Sequence, residues 1–200
     1  MLRHAIALVL TLLVLACGAK VEYPRLAGGA TVLAFGDSLT YGTGVQPAQS
    51  YPAVLQALIS REVVNEGIPG NTTADGRARL AEALDAHAPK LLILCLGGND
   101  FLRKQPEAET VAHLRAMLDL AKARGVPVLL VATPKPGLGL SVPDFYAELA
   151  QEYGVALEDE VLAEVLADRN LKSDPIHPNE AGYRQMAEAI AAALRETGAI

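Results

Sequence analysis

Two continuous apolar runs set the strongest limit on what this chain can become: Leu91-Leu92-Ile93-Leu94-Cys95-Leu96 and Val126-Pro127-Val128-Leu129-Leu130-Val131. A strand with one wet face alternates polar and apolar residues, so unbroken runs of this length belong to strands covered on both faces. Val32-Leu33-Ala34-Phe35-Gly36 reads as another, Glu62-Val63-Val64-Asn65 as a shorter candidate, and Val155-Ala156-Leu157 as one shorter still. Segments of helical period lie between them. Val111, Leu114, Leu118 and Ala121 share one helical face, as do Tyr183, Met186, Ile190 and Ala193. Thr72-Thr73-Ala74-Asp75 has the form of a capping box, Asn179 suits the N-cap of the last helix, and Gly125 closes the helix before the second run. The β-α order, with no internal repeat, predicts an α/β fold: a three-layer α/β/α sandwich around a central parallel sheet. Its site should lie at the carboxyl ends of the strands.

With 200 residues, 51% hydrophobic and 20% charged, the chain suits one domain with a sizeable core. The formal net charge is −6 and the signs are mixed along the chain. No basic stripe suggests nucleic acid.

Residues 1–16 are a separate object. Arg3 and His4 give a positive start, an apolar stretch follows, and Val14-Leu15-Ala16-Cys17 closes it with small residues before a cysteine. The apolar stretch is too short to span a bilayer comfortably, so it reads as an export signal. The closing residues resemble the lipobox of bacterial lipoproteins. The resemblance implies that Cys17 becomes the first mature residue and carries lipid, so that the protein is exported, periplasmic and anchored to a bacterial membrane. By the same family's rules, Gly18 in place of an aspartate implies the outer membrane. A plain secretory signal with an incidental Cys17 is the alternative. Residues 17–30, with Pro24 and Gly28-Gly29 and little periodic pattern, read as a tether, and the folded domain as residues 31–200. Cys95, inside an apolar run, reads as a buried small hydrophobe.

The polar clusters fall after the strands. Gly36-Asp37-Ser38-Leu39 follows the first, Asn65-Glu66-Gly67-Ile68-Pro69-Gly70-Asn71 the second and Gly97-Gly98-Asn99-Asp100 the third, while Ser173-Asp174-Pro175-Ile176-His177-Pro178 precedes the last helix. In order and spacing these four loops resemble the sequence blocks of the GDSL esterases, or SGNH hydrolases. The family's serine, glycine, asparagine and histidine are matched by Ser38, Gly70, Asn99 and His177. The resemblance covers nearly all of the mature chain and is nearest to the small bacterial thioesterase, protease and lysophospholipase type, also called arylesterases. It implies a flavodoxin-like sandwich and ester hydrolysis without cofactor or metal. One departure is the short stretch Lys135-Pro136-Gly137-Leu138-Gly139-Leu140.

Elementary chemistry supports the same residues. Serine is a weak nucleophile without a base, and imidazole is the natural base near neutral pH. His4 leaves with the signal, His87 ends a helical segment and His113 falls on a polar helix side, so His177 remains. Asp174, three residues earlier, can hold the useful tautomer. Either Asp-x-x-His or Gly-Asp-Ser alone is also an ordinary loop feature. The oxyanion donors are the backbone N–H of Ser38 and, by the resemblance, the N–H of Gly70 and the amide of Asn99. Asp37 and Asp100 read as braces of their loops.

Other chemistries fit poorly. Gly42-Thr43-Gly44 lacks a dinucleotide or Gly-Lys-Ser/Thr continuation, Thr40 breaks the Gly-x-Ser-x-Gly elbow, and the histidines are too scattered for a metal. The expectation is therefore a monomeric serine hydrolase of carboxylic esters or thioesters, acting through an acyl-serine. A polysaccharide O-acetyl esterase and a non-catalytic, lipid-anchored binding protein are the alternatives. Phe101 and Leu102 are expected to bind the acyl chain, with Leu138, Leu140 and Val142 nearby; the chain has no tryptophan to stack on a sugar.

Overall fold

The computed structural model describes residues 20–136 and 139–200. The expected signal, Cys17 and Leu138 lie outside the described residues. Five strands form the sheet: β1 (Thr31–Gly36), β2 (Glu62–Gly67), β3 (Leu91–Cys95), β4 (Val128–Val131) and β5 (Ala156–Glu158). All pairs are parallel, and the order is β2-β1-β3-β4-β5. The helices are α1 (Ser38–Tyr41), α2 (Tyr51–Ile59), α3 (Thr73–His87), α4 (Gly98–Leu102), α5 (Glu107–Ala123), α6 (Phe145–Tyr153), α7 (Val161–Ala167) and α8 (Glu180–Glu196).

The continuous apolar runs divide by alternation, because successive side chains leave a strand on opposite faces. Val32, Ala34, Leu91, Ile93, Cys95, Leu129 and Val131 pack with residues of α2, α7 and α8. Leu33, Phe35, Leu92, Leu94, Val128 and Leu130 pack with residues of α3, α5 and α6. This is the expected three-layer sandwich. The edge strands carry less apolar material, with Val63 the one buried residue of β2 and Ala156 of β5. β4 begins at Val128 because the Val126 N–H turns back to Ala121 O at the end of α5, and Pro127 has no N–H to give.

The caps are in place. Thr72 and Asp75 exchange hydrogen bonds at the start of α3, Asn179 Oδ1 accepts from Gly182 N at 3.1 Å, and Gly125 has φ +65° after α5.

The segment expected to be a tether is different. Within its described part, the Tyr23 hydroxyl lies between Val128 O and the Ala156 N–H at the starts of β4 and β5, and the Tyr23 N–H donates to Thr197 O. Leu26 is buried; its N–H donates to Ala199 O, and its carbonyl accepts from the Arg61 guanidinium. Residues 20–30 thus run beneath the amino ends of the strands as part of the domain, pinned by partners far away in sequence.

Candidate active site

The sheet order reverses direction between β1 and β3, so the loops after these strands diverge and leave a crevice at the carboxyl edge. Ser38 enters from the β1 side and Asn99 from the β3 side.

Ser38 opens α1 directly after β1. Asp37 caps this helix: its Oδ1 accepts the Leu39 N–H at 2.9 Å. Its other oxygen, Oδ2, accepts from Asn99 Nδ2 at 3.1 Å, so one buried carboxylate joins the serine loop to the asparagine loop. Burial pushes the Asp37 carboxyl up to about 6, although the Leu39 N–H, the charge of His177 and the Asn99 amide all favour its ionised form.

His177 Nε2 stands 2.9 Å from Ser38 Oγ, and His177 Nδ1 stands 2.7 Å from Asp174 Oδ2. The imidazole side chain is 12% exposed and the carboxylate 42%. Asp174 Oδ1 accepts the N–H groups of Ile176 and His177 at 2.8 and 2.9 Å. Burial alone would raise the Asp174 carboxyl, but the His177 ring and these two N–H groups outweigh it and hold the carboxyl below its ordinary value. The loop is closed at its base by the Lys172–Pro178 bridge and by the Ser173 N–H on His177 O at 3.0 Å. A base held this way keeps the alignment with serine that proton transfer requires.

Asn99 lies on the short helix α4. Its Nδ2 donates to Asp37 and, at 3.0 Å, to Asn71 O. Gly70, one residue before that carbonyl, has φ +83°, a conformation that favours glycine. Its own carbonyl accepts from Arg103 at 2.8 Å. Gly70 borders the site through Asn71 and is not part of the cleft wall. Asp100 is a brace, as expected, accepting from the N–H and hydroxyl of Thr73 at 2.9 and 2.5 Å. Gly97 precedes α4 because a Cβ there would stand 2.2 Å from the Tyr146 hydroxyl, which donates to Leu96 O.

Ser38, His177 and Asn99 border an apolar cleft with Leu39, Leu102, Leu140, Leu166 and Ile176. Leu102 and Ile176 are exposed at its rim. Phe101 is a correction: it is 8% exposed and packs in the core against Phe145, because each residue of α4 is turned by about 100° from the one before, and the turn that leaves Leu102 at the rim sends Phe101 inward. Val142 also packs toward the core, away from the cleft. Leu166 and Ile176 were not anticipated from the sequence.

Arg79 was also missed. It lies on the buried stripe of α3 with Gly76, Leu80 and Ala83, and a cation on such a stripe is the signal that could have revealed it. Its guanidinium sits 3.9 Å from the Phe35 ring centroid. It donates to Gly36 O at 2.8 Å, Glu66 O at 2.9 Å and Asn71 Oδ1 at 2.8 Å, tying together the ends of β1, β2 and the glycine loop. His113 is likewise less free than a polar helix side suggests, with Nδ1 3.2 Å from Thr73 Oγ1.

This arrangement can pass a proton from a hydroxyl to an imidazole whose far side is fixed by a carboxylate, beside a neutral amide donor. Comparison with known proteins agrees. The model of the GDSL-like lipase/acylhydrolase family matches residues 34–185. The chain is 32% identical over 193 residues to Esterase TesA of Pseudomonas aeruginosa, spanning 90% of this chain and 94% of that protein. It is 32% identical over 179 residues to Thioesterase 1/protease 1/lysophospholipase L1 of Escherichia coli, spanning 86% of each. The crystal structure of TesA superposes with a TM-score of 0.74 at 30% identity, over 84% of this chain and 99% of that one. The chain therefore belongs to the GDSL-like lipase/acylhydrolase family, the SGNH hydrolases, and is an esterase-type hydrolase.

Proposed function

We propose that this chain cleaves carboxylic esters or thioesters through an acyl-serine intermediate, as an exported enzyme anchored by lipid at Cys17. The observation that carries the catalytic reading is the continuous path from Ser38 Oγ to His177 Nε2 at 2.9 Å and from His177 Nδ1 to Asp174 Oδ2 at 2.7 Å. Asp174 accepts the Nδ1 proton, which leaves Nε2 as the acceptor for the serine proton. Ser38 Oγ bonds to the acyl carbon, its proton passes to Nε2, and the carbonyl oxygen becomes an oxyanion. The Ser38 N–H receives that charge together with the Asn99 amide, which releases one of its two acceptors, Asp37 Oδ2 or Asn71 O, as the oxyanion forms; the Gly70 N–H joins them only if its turn moves in from outside the cleft wall. The tetrahedral centre then expels the alcohol or thiol, which takes the proton from His177. Water repeats the sequence on the acyl-serine and releases the acid. Leu102, with Leu39, Leu140, Leu166 and Ile176, receives the acyl group.

A second reading, an O-acetyl esterase acting on polysaccharide, draws on the size of the cleft. Its enclosed part is about 80 Å³, small beside the roughly 300–1,000 Å³ of common ligand pockets.

The test is a rapid-mixing assay with p-nitrophenyl esters and acetylated oligosaccharides, together with mass analysis of the quenched enzyme. One acyl group should be trapped on the peptide containing Ser38. Ser38→Ala and His177→Ala should each lose at least about three orders of magnitude in turnover, with the double variant hardly worse, because nucleophile and base act as one unit. Binding of acyl or sugar ligands without turnover of any ester would favour the binding-protein reading.

A further inference from the structure

The described chain begins at the edge of the domain opposite the cleft. Lys20 and Val21 border a hollow with Ala156 and Leu157 of β5 and with Ala193, Glu196 and Thr197 at the end of α8. Tyr23 is pinned between Val128 and Ala156, and Leu26 between Ala199 and Arg61. These partners stand at or beside the amino ends of the strands, whereas Ser38, Asn99 and His177 stand beyond the carboxyl ends.

Only three chain steps separate Cys17 from Lys20. At 3.8 Å between consecutive Cα atoms they span at most about 11 Å. β1, with six residues, is itself about 20 Å long at roughly 3.3 Å per residue. A lipid on Cys17 therefore holds the amino edge of the sheet near the bilayer, and the tether is too short to bring the far edge down by extension. The charge distribution permits this side to face an anionic membrane. Arg25, Lys90 and Arg124 border one hollow under this edge and Lys20 another, beside Glu196, so cations are available here to face anionic headgroups.

We infer that the amino edge of the sheet, with residues 20–30, is a surface that rests on the lipid bilayer, and that the cleft opens away from the membrane holding the anchor. The inference rests on the proposed lipid at Cys17. Its consequence is a limit on substrate: the ester arrives from the aqueous side, dissolved or carried by a facing surface, and is not a lipid of the anchoring leaflet.

The test uses the full, processed chain in phospholipid vesicles that contain a headgroup-quencher lipid. Cys95 is fully buried, so a fluorophore can be placed on a single introduced thiol, Lys90→Cys before β3 or Lys104→Cys beyond α4. The Lys90→Cys probe should be quenched several-fold more than the Lys104→Cys probe. A Gly/Ser insertion of about twenty residues before Lys20, long enough to act as a flexible coil, should remove the difference. The same insertion should raise hydrolysis of an acyl ester embedded in the same vesicles about tenfold, with a soluble ester turned over as before. Equal quenching with the native tether, or stronger quenching at Lys104→Cys, overturns the orientation while leaving the anchor intact. If the wild type takes up no radioactive fatty acid and does not float with vesicles, the anchor itself fails, and the orientation with it.

Discussion

The carboxylate of Asp37 accepts the side-chain amide of Asn99 at 3.1 Å across the crevice between β1 and β3, and its second oxygen caps the helix that carries Ser38. Two loops that act on one carbonyl group in the proposed mechanism are thus registered by a single buried group. The cost is visible in its titration, since burial raises Asp37 from 3.8 to about 6. A carboxyl raised in the folded state contributes stability that is present below its unfolded value and lost as pH climbs past its folded one. Asp37→Asn removes that dependence. The stability of the variant relative to wild type should therefore rise by about 3 kcal/mol between pH 3.5 and pH 7. Its activity should move the other way. The single oxygen of an asparagine cannot serve both Leu39 and Asn99, so kcat should fall by about tenfold or more with little change in KM. Denaturant melts across this pH range and steady-state kinetics check both halves; a constant stability difference would remove Asp37 as the titrating group.

Asp174 supports a different prediction, about a tautomer. Its Oδ1 is occupied by the N–H groups of Ile176 and His177, so Asp174→Asn keeps its oxygen there and turns Nδ2 toward His177 Nδ1. That nitrogen must then accept, the proton moves to Nε2, and Ser38 loses its base. Turnover should drop by about 10⁴-fold with the fold retained. A loss smaller than about tenfold would show that Asp174 does not set the imidazole's proton.

Arg79 should matter through position rather than contact. Arg79→Lys keeps a charge but cannot bridge Gly36 O, Glu66 O and Asn71 Oδ1 with one planar group. Burial lowers the Arg79 guanidinium pKa, partly offset by Glu66 and Asp75, so an unpaired cation here is costly. We expect a loss of about 2–4 kcal/mol in stability. kcat should fall while KM holds, because Asn71 O is one of the two acceptors that orient Asn99. Unchanged kcat in the folded variant would leave Arg79 a purely structural residue.

Much of this was legible in the sequence where the cause is local. The runs at Leu91 and Val128 are strands because both faces are covered, and Thr72, Asn179 and Gly125 act within one turn of themselves. The loop residues Ser38 and Asn99, after strands, and His177, before the last helix, could be placed on one edge from the β-α alternation. What escaped depends on distant partners. Tyr23 and Leu26 are too few to form a period, and they are fixed by Val128, Ala156 and Ala199. Arg79 looks like a surface cation until its acceptors at the strand ends are known. Phe101 and Leu102 are adjacent letters with opposite fates, decided by the direction in which the five-residue α4 leaves β3.

That last pair separates the proposed acyl-binding wall from ordinary core packing. Leu102 is 45% exposed and borders the same cleft as Ile176, itself 40% exposed, whereas Phe101 packs against Phe145. The enclosed part of the cleft is small, so on the proposed acyl-binding reading carbons beyond the first few would run along the rim formed by Leu102 and Ile176. Each methylene removed from water there is worth up to about 0.8 kcal/mol, and partial burial of several still separates octanoate from acetate. Leu102→Ala should lower kcat/KM for p-nitrophenyl octanoate by about tenfold and leave acetate unchanged, since acetate ends before the rim. Phe101→Ala should instead cost about 3–5 kcal/mol of stability as a core deletion and affect both esters alike in whatever fraction stays folded. The measurement is kcat/KM from acetate to palmitate below any micelle threshold, on both variants, with melts alongside. If acetate is the best substrate and Leu102→Ala changes nothing, the rim binds no acyl chain and the O-acetyl esterase reading takes precedence.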